Sequence, residues 1–388
     1  MNWSTLGAEC QIIGGGTPSR TRQDFFGGLI PWATPTDVTR LNGGRFLKAT
    51  SETITEEGLN RSSAKLLPAG TVLLTSRATI GFTAIAAVAM ATNQGFANLI
   101  CGPRVVPEFL AVWLPTHRDR LIQLAGGTTF KEISKGTLKS FPVPIPPLDE
   151  QRRIVDVLNR AAGLKRLAEQ AQAKARELIS ALFVEMFGDP ATNPKGWPTT
   201  NIGALTSYTR YGPRFPDRRY EGRTGAHILR TTDMGFDGSL AWGNSPVLPV
   251  SEEELRKYAL TKGTLLITRT GATIGKTALF NGASRPCIAG AYLIEIGLGS
   301  QVVPDFVLRF LLSDWGQRKL RAGSRAVAQP NINVPTIRAI ELPLPPFKLQ
   351  QTFAKRVSEV SSVADLTRRA ATAAEQTSGA LMSRLFGS

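Results

Sequence analysis

The sequence predicts an α+β protein made of two duplicated, mixed α/β globular modules, each followed by a long helix, the two helices pairing as an intramolecular coiled coil. Three observations carry this expectation. A Pro-rich segment occurs twice, 199 residues apart. Each copy opens a long proline-free stretch whose apolar residues alternate in steps of three and four. Between these stretches lie short β-rich runs divided by Gly and Pro turns, with one helical run in each half.

The duplication is clearest at the Pro-rich segments. FPVPIPPLDEQRRIV (Phe141–Val155) returns in outline as ELPLPPFKLQQTFA (Glu341–Ala354). Pro146-Pro147 and Pro345-Pro346 are each followed four residues on by glutamine, Gln151 and Gln350. Each proline-free stretch ends in Phe-Gly, at Phe187-Gly188 and Phe386-Gly387. Upstream, Thr71–Ile85 matches Thr264–Leu279 through a shared Ala-Thr-Ile-Gly, and Ile30–Val38 resembles His227–Met234 through Thr-Asp before an apolar residue. A period near 199 residues is far longer than a solenoid unit, so the chain is a module used twice.

The helices follow from composition and spacing. Asp149 to Phe187 contains no proline and one glycine, Gly163. Ile154, Val157, Ala161, Leu164, Ala168, Ala171, Ala175, Leu178 and Leu182 form a heptad seam; Phe353, Val360, Val363, Ala370, Ala374 and Leu381 repeat it, with Thr367 and Thr377 weaker and Arg356 against the pattern. At 1.5 Å per residue the first stretch would span roughly 57 Å. Two such stripes either bury each other or each pack on their own module; Ala-rich seams favour the close approach of two helices. In the globular parts, Thr71–Ser76, Phe82–Val88, Thr264–Thr268 and Ala291–Ile296 read as strands, and Val106–Leu124 and Pro304–Arg321 as helices. Gly188–Pro198 reads as a linker.

Composition narrows function. Of 388 residues, 46 are Lys or Arg and 30 Asp or Glu, for a net charge of +16, with 42% hydrophobic residues. That is a globular composition whose excess charge suits a polyanion, nucleic acid before an anionic membrane surface. No apolar run approaches the length of a membrane span. The opening MNWSTLGAEC lacks a basic segment before an apolar run, so no secretory signal is expected. Cys10, Cys101 and Cys287 are few and far apart in sequence, which speaks against a disulfide framework and for a reducing cytoplasm. His117 and His227 offer little material for a zinc site or a catalytic triad and read as structural or surface residues. The two long helices carry +1 and +3, which leaves +12 on the globular modules.

Two motifs come close to known chemistry and miss it. Gly271-Ala272-Thr273-Ile274-Gly275-Lys276-Thr277 has three residues between its glycines where a phosphate-binding loop needs four, and the other copy has no lysine; it reads as a Gly turn between strands, from which Lys276 can still reach a phosphate. Ile145-Pro146-Pro147-Leu148 and Leu344-Pro345-Pro346-Phe347 have an apolar residue where an amino-methyltransferase loop has Asn, Asp or Ser, so the Pro-Pro pairs read as stiff lead-ins that set helix direction. Asp37 and Asp233 recur after threonine and suit a turn or a cap.

Basic residues gather near Gly, Thr and aromatic turns. Arg20, Arg22, Arg77, Lys131 and Lys135 stand out in module one, and Arg210, Arg214, Arg269, Lys276 and Arg325 in module two. The loops Thr128–Gly136 and Ala328–Thr336, each ahead of a Pro-rich lead-in, add Asn331 and Asn333 as candidate base readers. Any one of these alone is better read as a solvated surface charge; as a set on duplicated modules they read as a nucleic-acid surface.

Two globular modules, each closed by Pro-x-Pro-Pro-x-x-x-Gln and a long heptad helix ending in Phe-Gly, resemble the specificity (S) subunit of type I restriction–modification systems over essentially the whole chain. The resemblance implies target recognition domains over 1–147 and 189–346 and spacer helices over 148–188 and 347–388, the helices pairing antiparallel. It implies that each domain reads one half of a split double-stranded DNA target. It further implies no catalytic centre, metal or cofactor in this chain. Two methylation (M) subunits would bring S-adenosylmethionine, and restriction (R) subunits would bring ATP and Mg in the full complex, with no membrane partner. One departure is that Phe347-Lys348-Leu349 stands where the first copy has Leu148-Asp149-Glu150, so the second helix starts without two acidic residues.

Overall fold

A computed structural model describes residues 2–41, 44–126, 131–215, 224–241, 243, 245–322 and 331–386. The chain divides into two compact units, one of residues up to Lys165 with those from Ala371 on, the other Arg166–Ala370. No described helix is long and apolar enough to cross a membrane.

In the first unit, the described strands Cys10–Gly14, Phe96–Cys101, Val72–Thr75, Thr83–Ala86 and Phe46–Leu47 form one sheet in that spatial order. Every pairing is antiparallel except the last. Side chains alternate across it. Val72, Leu74, Ile85 and Leu99 pack with Leu110, Trp113 and Leu114 of the helix Pro107–Thr116. Leu73, Ala84, Ala86 and Phe96 fill the opposite face. A smaller sheet joins Glu52–Ile54, Phe26–Ala33 and Ala91–Thr92.

The second unit repeats this plan. Thr206–Tyr211, Leu293–Leu298, Thr264–Thr268 and Thr277–Phe280 form an antiparallel sheet. Leu265, Ile267, Ile294 and Ile296 face the helix Pro304–Leu312. The smaller sheet joins Val247–Leu248, Ala226–Leu229 and Cys287–Ala289. Asp37 and Asp233 each close a capping box, as their place after threonine predicts; the backbone N–H of Thr34 and of Arg230 donates to them at 2.8 and 2.7 Å. The expected helices 106–124 and 304–321 are each broken once. Pro115 precedes a break at His117. At Ser313 the backbone turns extended and the hydroxyl accepts the Gly316 N–H at 3.1 Å, starting a new helix.

The long helices run over Leu148–Phe187 and Phe347–Phe386. Each unit pairs the start of one with the end of the other, so the pairing is antiparallel. In the first unit Ile154, Val155 and Leu158 gather with Phe109, Leu381 and Met382, and Lys165 Nζ lies 3.0 Å from Glu375. In the second, Phe183 and Phe187 interlock with Phe306 and Phe353 at centroid distances of 4.9–5.7 Å. The seam differs in detail from the heptad reading. Ala161, Ala168 and Ala175 are buried as expected, but Leu164, Leu178 and Val363 are exposed and Ala370 faces out. Ile179, Val357, Ala364 and Ala371 are buried in their stead, one residue later in each heptad. Neighbours at i+3 and i+4 share a helix face, so periodicity alone does not say which flank meets the partner.

The repeated glutamines hold each helix to its module. Gln151 is buried; its Oε1 accepts the Val106 N–H at 2.8 Å, and its Nε2 donates to the carbonyls of Arg104 and Pro146 at 2.8 Å. Gln350 does the same with the Val303 N–H at 2.9 Å and the Pro345 carbonyl at 2.8 Å. The segments just before are tied back to the start of each module, Pro142–Pro144 to Trp3–Thr5 and Glu341–Pro343 to Thr199–Asn201. Replacing Gln350 by Ala strands buried polar groups and should cost about 2–4 kcal/mol in chemical denaturation. Phe353→Ala, which opens the aromatic cluster, should cost about 3–5 kcal/mol.

Candidate nucleic-acid interface

Both modules build the same edge. In the second unit the sequence's Gly-rich motif is a turn between the strands Thr264–Thr268 and Thr277–Phe280, as its spacing predicts. Gly271 and Gly275 take positive φ (79° and 84°), the left-handed region open to glycine. The Ile332 N–H donates to the Arg269 carbonyl at 2.8 Å, and Thr270 bridges to Asn331. Asn333 then caps the helix Val334–Arg338 by accepting the Thr336 N–H at 2.9 Å. In the first unit the Ile133 N–H donates to the Ser76 carbonyl at 2.9 Å, Arg77 bridges to Glu132, and Ser134 caps the helix Lys135–Lys139. The structure thus brings Arg77, Lys131 and Lys135 to one edge, and Arg269, Asn331 and Asn333 to the equivalent edge.

The partners at these edges differ. The Arg269 guanidinium lies 4.8 Å over the Tyr211 ring, and the Tyr211 hydroxyl accepts the Val334 N–H at 3.3 Å. In the first unit Gly14 occupies the corresponding strand end, and the Lys135 side chain lies against it. Lys131 and Lys135 are exposed, and Arg77 sits 3.9 Å from the Glu132 carboxylate.

Beside the second edge opens a cavity of about 730 Å³. Its floor is the buried Ile228, Leu229 and Leu293; its mouth carries Arg214, Arg230 and Tyr292, the last 60% exposed. The cavity joins the edge through backbone, since the Arg269 N–H donates to the Tyr292 carbonyl at 3.0 Å. Lys276 joins it from the other side, its Nζ donating to the Thr231 carbonyl at 3.2 Å and lying 5.2 Å over Phe236. The walls approach so closely that a Cβ on Gly212 would stand 2.1 Å from the Gly290 carbonyl. Guanidinium groups beside exposed aromatic faces match a phosphate next to a base. Among the described residues no group of three or more His, Cys, Asp or Glu is placed to hold a metal ion.

Three other arginines singled out from sequence are engaged by carboxylates. Arg20 chelates Glu52 and lies 4.7 Å over Phe26; Arg22 chelates Asp24 and lies 4.6 Å over Phe25. Arg210 points inward to Glu295, its cross-strand neighbour, with Nε 3.0 Å from the carboxylate, and also donates to the carbonyls of Lys257 and Tyr258. Burial raises the Glu295 carboxyl above its usual range, against the pull of Arg210. Arg325 lies outside the described residues. Tyr211, Arg230, Phe236 and Tyr292 belong to the site but were missed from sequence: isolated aromatics carry no periodic signal, and only the fold sets them beside arginines.

Comparison with known proteins decides the family. The family model for the type I restriction modification DNA specificity domain matches residues 2–174 and again 236–376. The chain belongs to this family. The two matches to the specificity domain coincide with much of the two repeats. The type I restriction enzyme MjaIX specificity subunit of Methanocaldococcus jannaschii is 34% identical over 214 residues, 50% of this chain and 49% of that protein. The EcoR124I/EcoR124II specificity subunit of Escherichia coli is 32% identical over 168 residues, 41% of this chain and 40% of that protein. The chain therefore spans about half the length, or less, of these curated relatives. In fold, this specificity-domain protein resembles the crystal structure of a type I restriction–modification S subunit from M. genitalium, with a TM-score of 0.63 at 14% identity over 100% of this chain and 96% of that one.

The pinned Arg210 yields a stability test. Arg210→Ala leaves the Glu295 carboxylate buried and unpaired, and should lose about 3–5 kcal/mol in denaturant titration. Arg20→Ala removes a surface pair and should lose less than about 1 kcal/mol.

Proposed function

We propose that this chain is the DNA-reading subunit of a type I restriction–modification complex. Each module reads one half of a split double-stranded target, and the paired helices set the separation of the halves and dock two methylation subunits. Those subunits would carry S-adenosylmethionine and the methyl-transfer chemistry; restriction subunits, with ATP and Mg, would join them in the full complex. The chain itself would supply recognition and no catalytic group. The observation that supports this most is the repetition of one basic edge, Arg77, Lys131 and Lys135 in one module and Arg269 with Asn331 in the other, on modules built to one plan.

The energetics favour two readers over one. A mismatched base pair typically costs about 1–3 kcal/mol, so a short half-site gives limited discrimination. Two readers held in one chain add their discrimination, because the second contact becomes intramolecular. Lys and Arg supply the salt-dependent phosphate term, and Arg or Asn at a groove supplies bidentate base contacts. In the second module Arg269 and Arg214 are the side chains best placed to do both, and the exposed Tyr292 ring offers a face on which a base can stack.

The test is competition binding at matched salt, with the full chain assembled with its methylation subunits. A duplex carrying two short half-sites at a fixed gap should outcompete random DNA by about 10³-fold or more. Equal competition by every sequence would overturn the proposal and leave a scaffold that binds nucleic acid without preference. Arg269→Ala should weaken binding to the split site about 5–100-fold and relax the sequence requirement of one half alone. Relaxation of both halves would contradict the division of labour between modules.

A further inference from the structure

We propose that Cys10 and Cys101 form a site of reversible oxidative modification, at which a peroxide converts the two thiols to a disulfide across the first sheet. The two residues are 91 apart in sequence, yet they face each other directly in the antiparallel ladder between Cys10–Gly14 and Phe96–Cys101. Their Sγ atoms are 4.0 Å apart and both thiols are free. The neighbouring pair, Glu9 and Gly102, exchanges the backbone hydrogen bond, Gly102 N–H to the Glu9 carbonyl at 2.8 Å. The cysteines therefore occupy the non-hydrogen-bonded position, where the backbones lie closest, and side-chain rotation can bring the sulfurs to bonding distance within disulfide limits.

The chemistry of the pair is asymmetric. The hydrogen bond between the two thiols, helped by the Gly102 N–H, pulls the Cys10 thiol below its usual range against burial and the Glu9 carboxylate. Cys101 is pushed up in return. Cys10 is buried, while Cys101 is half-buried and so partly exposed to a small oxidant. With hydrogen peroxide, the Cys10 thiolate attacks one peroxide oxygen: an S–O bond forms, the O–O bond breaks, and hydroxide leaves to become water. Cys101 then attacks the Cys10 sulfur: the S–S bond forms, the S–O bond breaks, and hydroxide leaves with the Cys101 proton as a second water. Two thiols lose two electrons, one peroxide gains them, and a dithiol reductant reverses the step.

Two internal comparisons sharpen this. At the same place in the second sheet, Thr206 faces Leu298, so the pair belongs to the first module and not to the shared plan. Cys287 sits in an inner strand, buried, with its thiol pushed up to about 11 by burial. The cross-link would also fasten the strand Cys10–Gly14 to the segment ending at Arg104, whose carbonyl receives Gln151 at the start of the first long helix.

The experiment is graded hydrogen peroxide on the native full chain, then alkylation, denaturation and non-reducing peptide mass spectrometry. The expected product is a Cys10–Cys101 linked peptide, lighter by two hydrogens, reversed by dithiothreitol and formed at least about tenfold faster than any oxidation of Cys287. In Cys101→Ala, Cys10 should stop at sulfenic acid and take up dimedone; the wild-type result stands alone if that variant fails to fold. Recovery of Cys10 and Cys101 separately alkylated or over-oxidised after peroxide would overturn the proposal, as would an equal rate of linkage in chain denatured beforehand.

Discussion

Each long helix leaves its module through a Pro-Pro pair, and the carbonyl of the first of these prolines lies in a buried position where an unmet acceptor would be costly. Gln151 and Gln350 meet that demand with one amide each, donating to Pro146 or Pro345 while accepting the N–H that opens the helix Pro107–Thr116 or Pro304–Leu312. One side chain thus fixes three elements, and it recurs unchanged in the two halves. The apolar packing builds on this: Phe109 against Ile154 in one unit, Phe306 against Phe183, Phe187 and Phe353 in the other. The direction of each helix, and so the pairing of the two, follows from the anchors.

The net charge of +16 takes on a different meaning once each cation has a location. Arg20 and Arg22 are held by carboxylates at the surface, and Arg210 by a buried one. What faces outward is smaller and more ordered: the edges around Arg77, 3.9 Å from Glu132, and around Arg269, and the mouth of the second module's cavity with Arg214, Tyr292 and Arg230, whose guanidinium lies 3.0 Å from the Asp233 carboxylate. A general basic surface becomes two placed edges, with aromatic rings beside the cations in the second. Recognition needs such placement, because phosphate attraction alone carries no sequence information.

Much of the architecture was legible in the sequence because it is written twice. The Pro-Pro-x-x-x-Gln lead-ins, the Ala-Thr-Ile-Gly turns and the capping aspartates all occupy matching places, and a repeated residue under a repeated constraint signals structure. The seam of the long helices was legible only in period: Leu178 yields to Ile179 and Ala370 to Ala371, because two neighbouring residues on one helix face fit the same pattern. The individual functional side chains were least legible. Arg210 and Arg269 look alike in sequence, but one meets Glu295 across a ladder and the other meets the Tyr211 ring at an edge. The Cys10–Cys101 pair was hidden for the same reason, being created by strand pairing between residues 91 apart.

The central claim, that two equivalent modules in one chain each read half of a split DNA sequence, is tested most directly by base-resolved methylation mapping of host genomes with and without the gene, its methylation partner present in both. The account predicts a gene-dependent methylated motif of two short specified halves separated by a gap of one fixed length. A methylation pattern unchanged by the gene, or a motif whose gap varies from site to site, would contradict it.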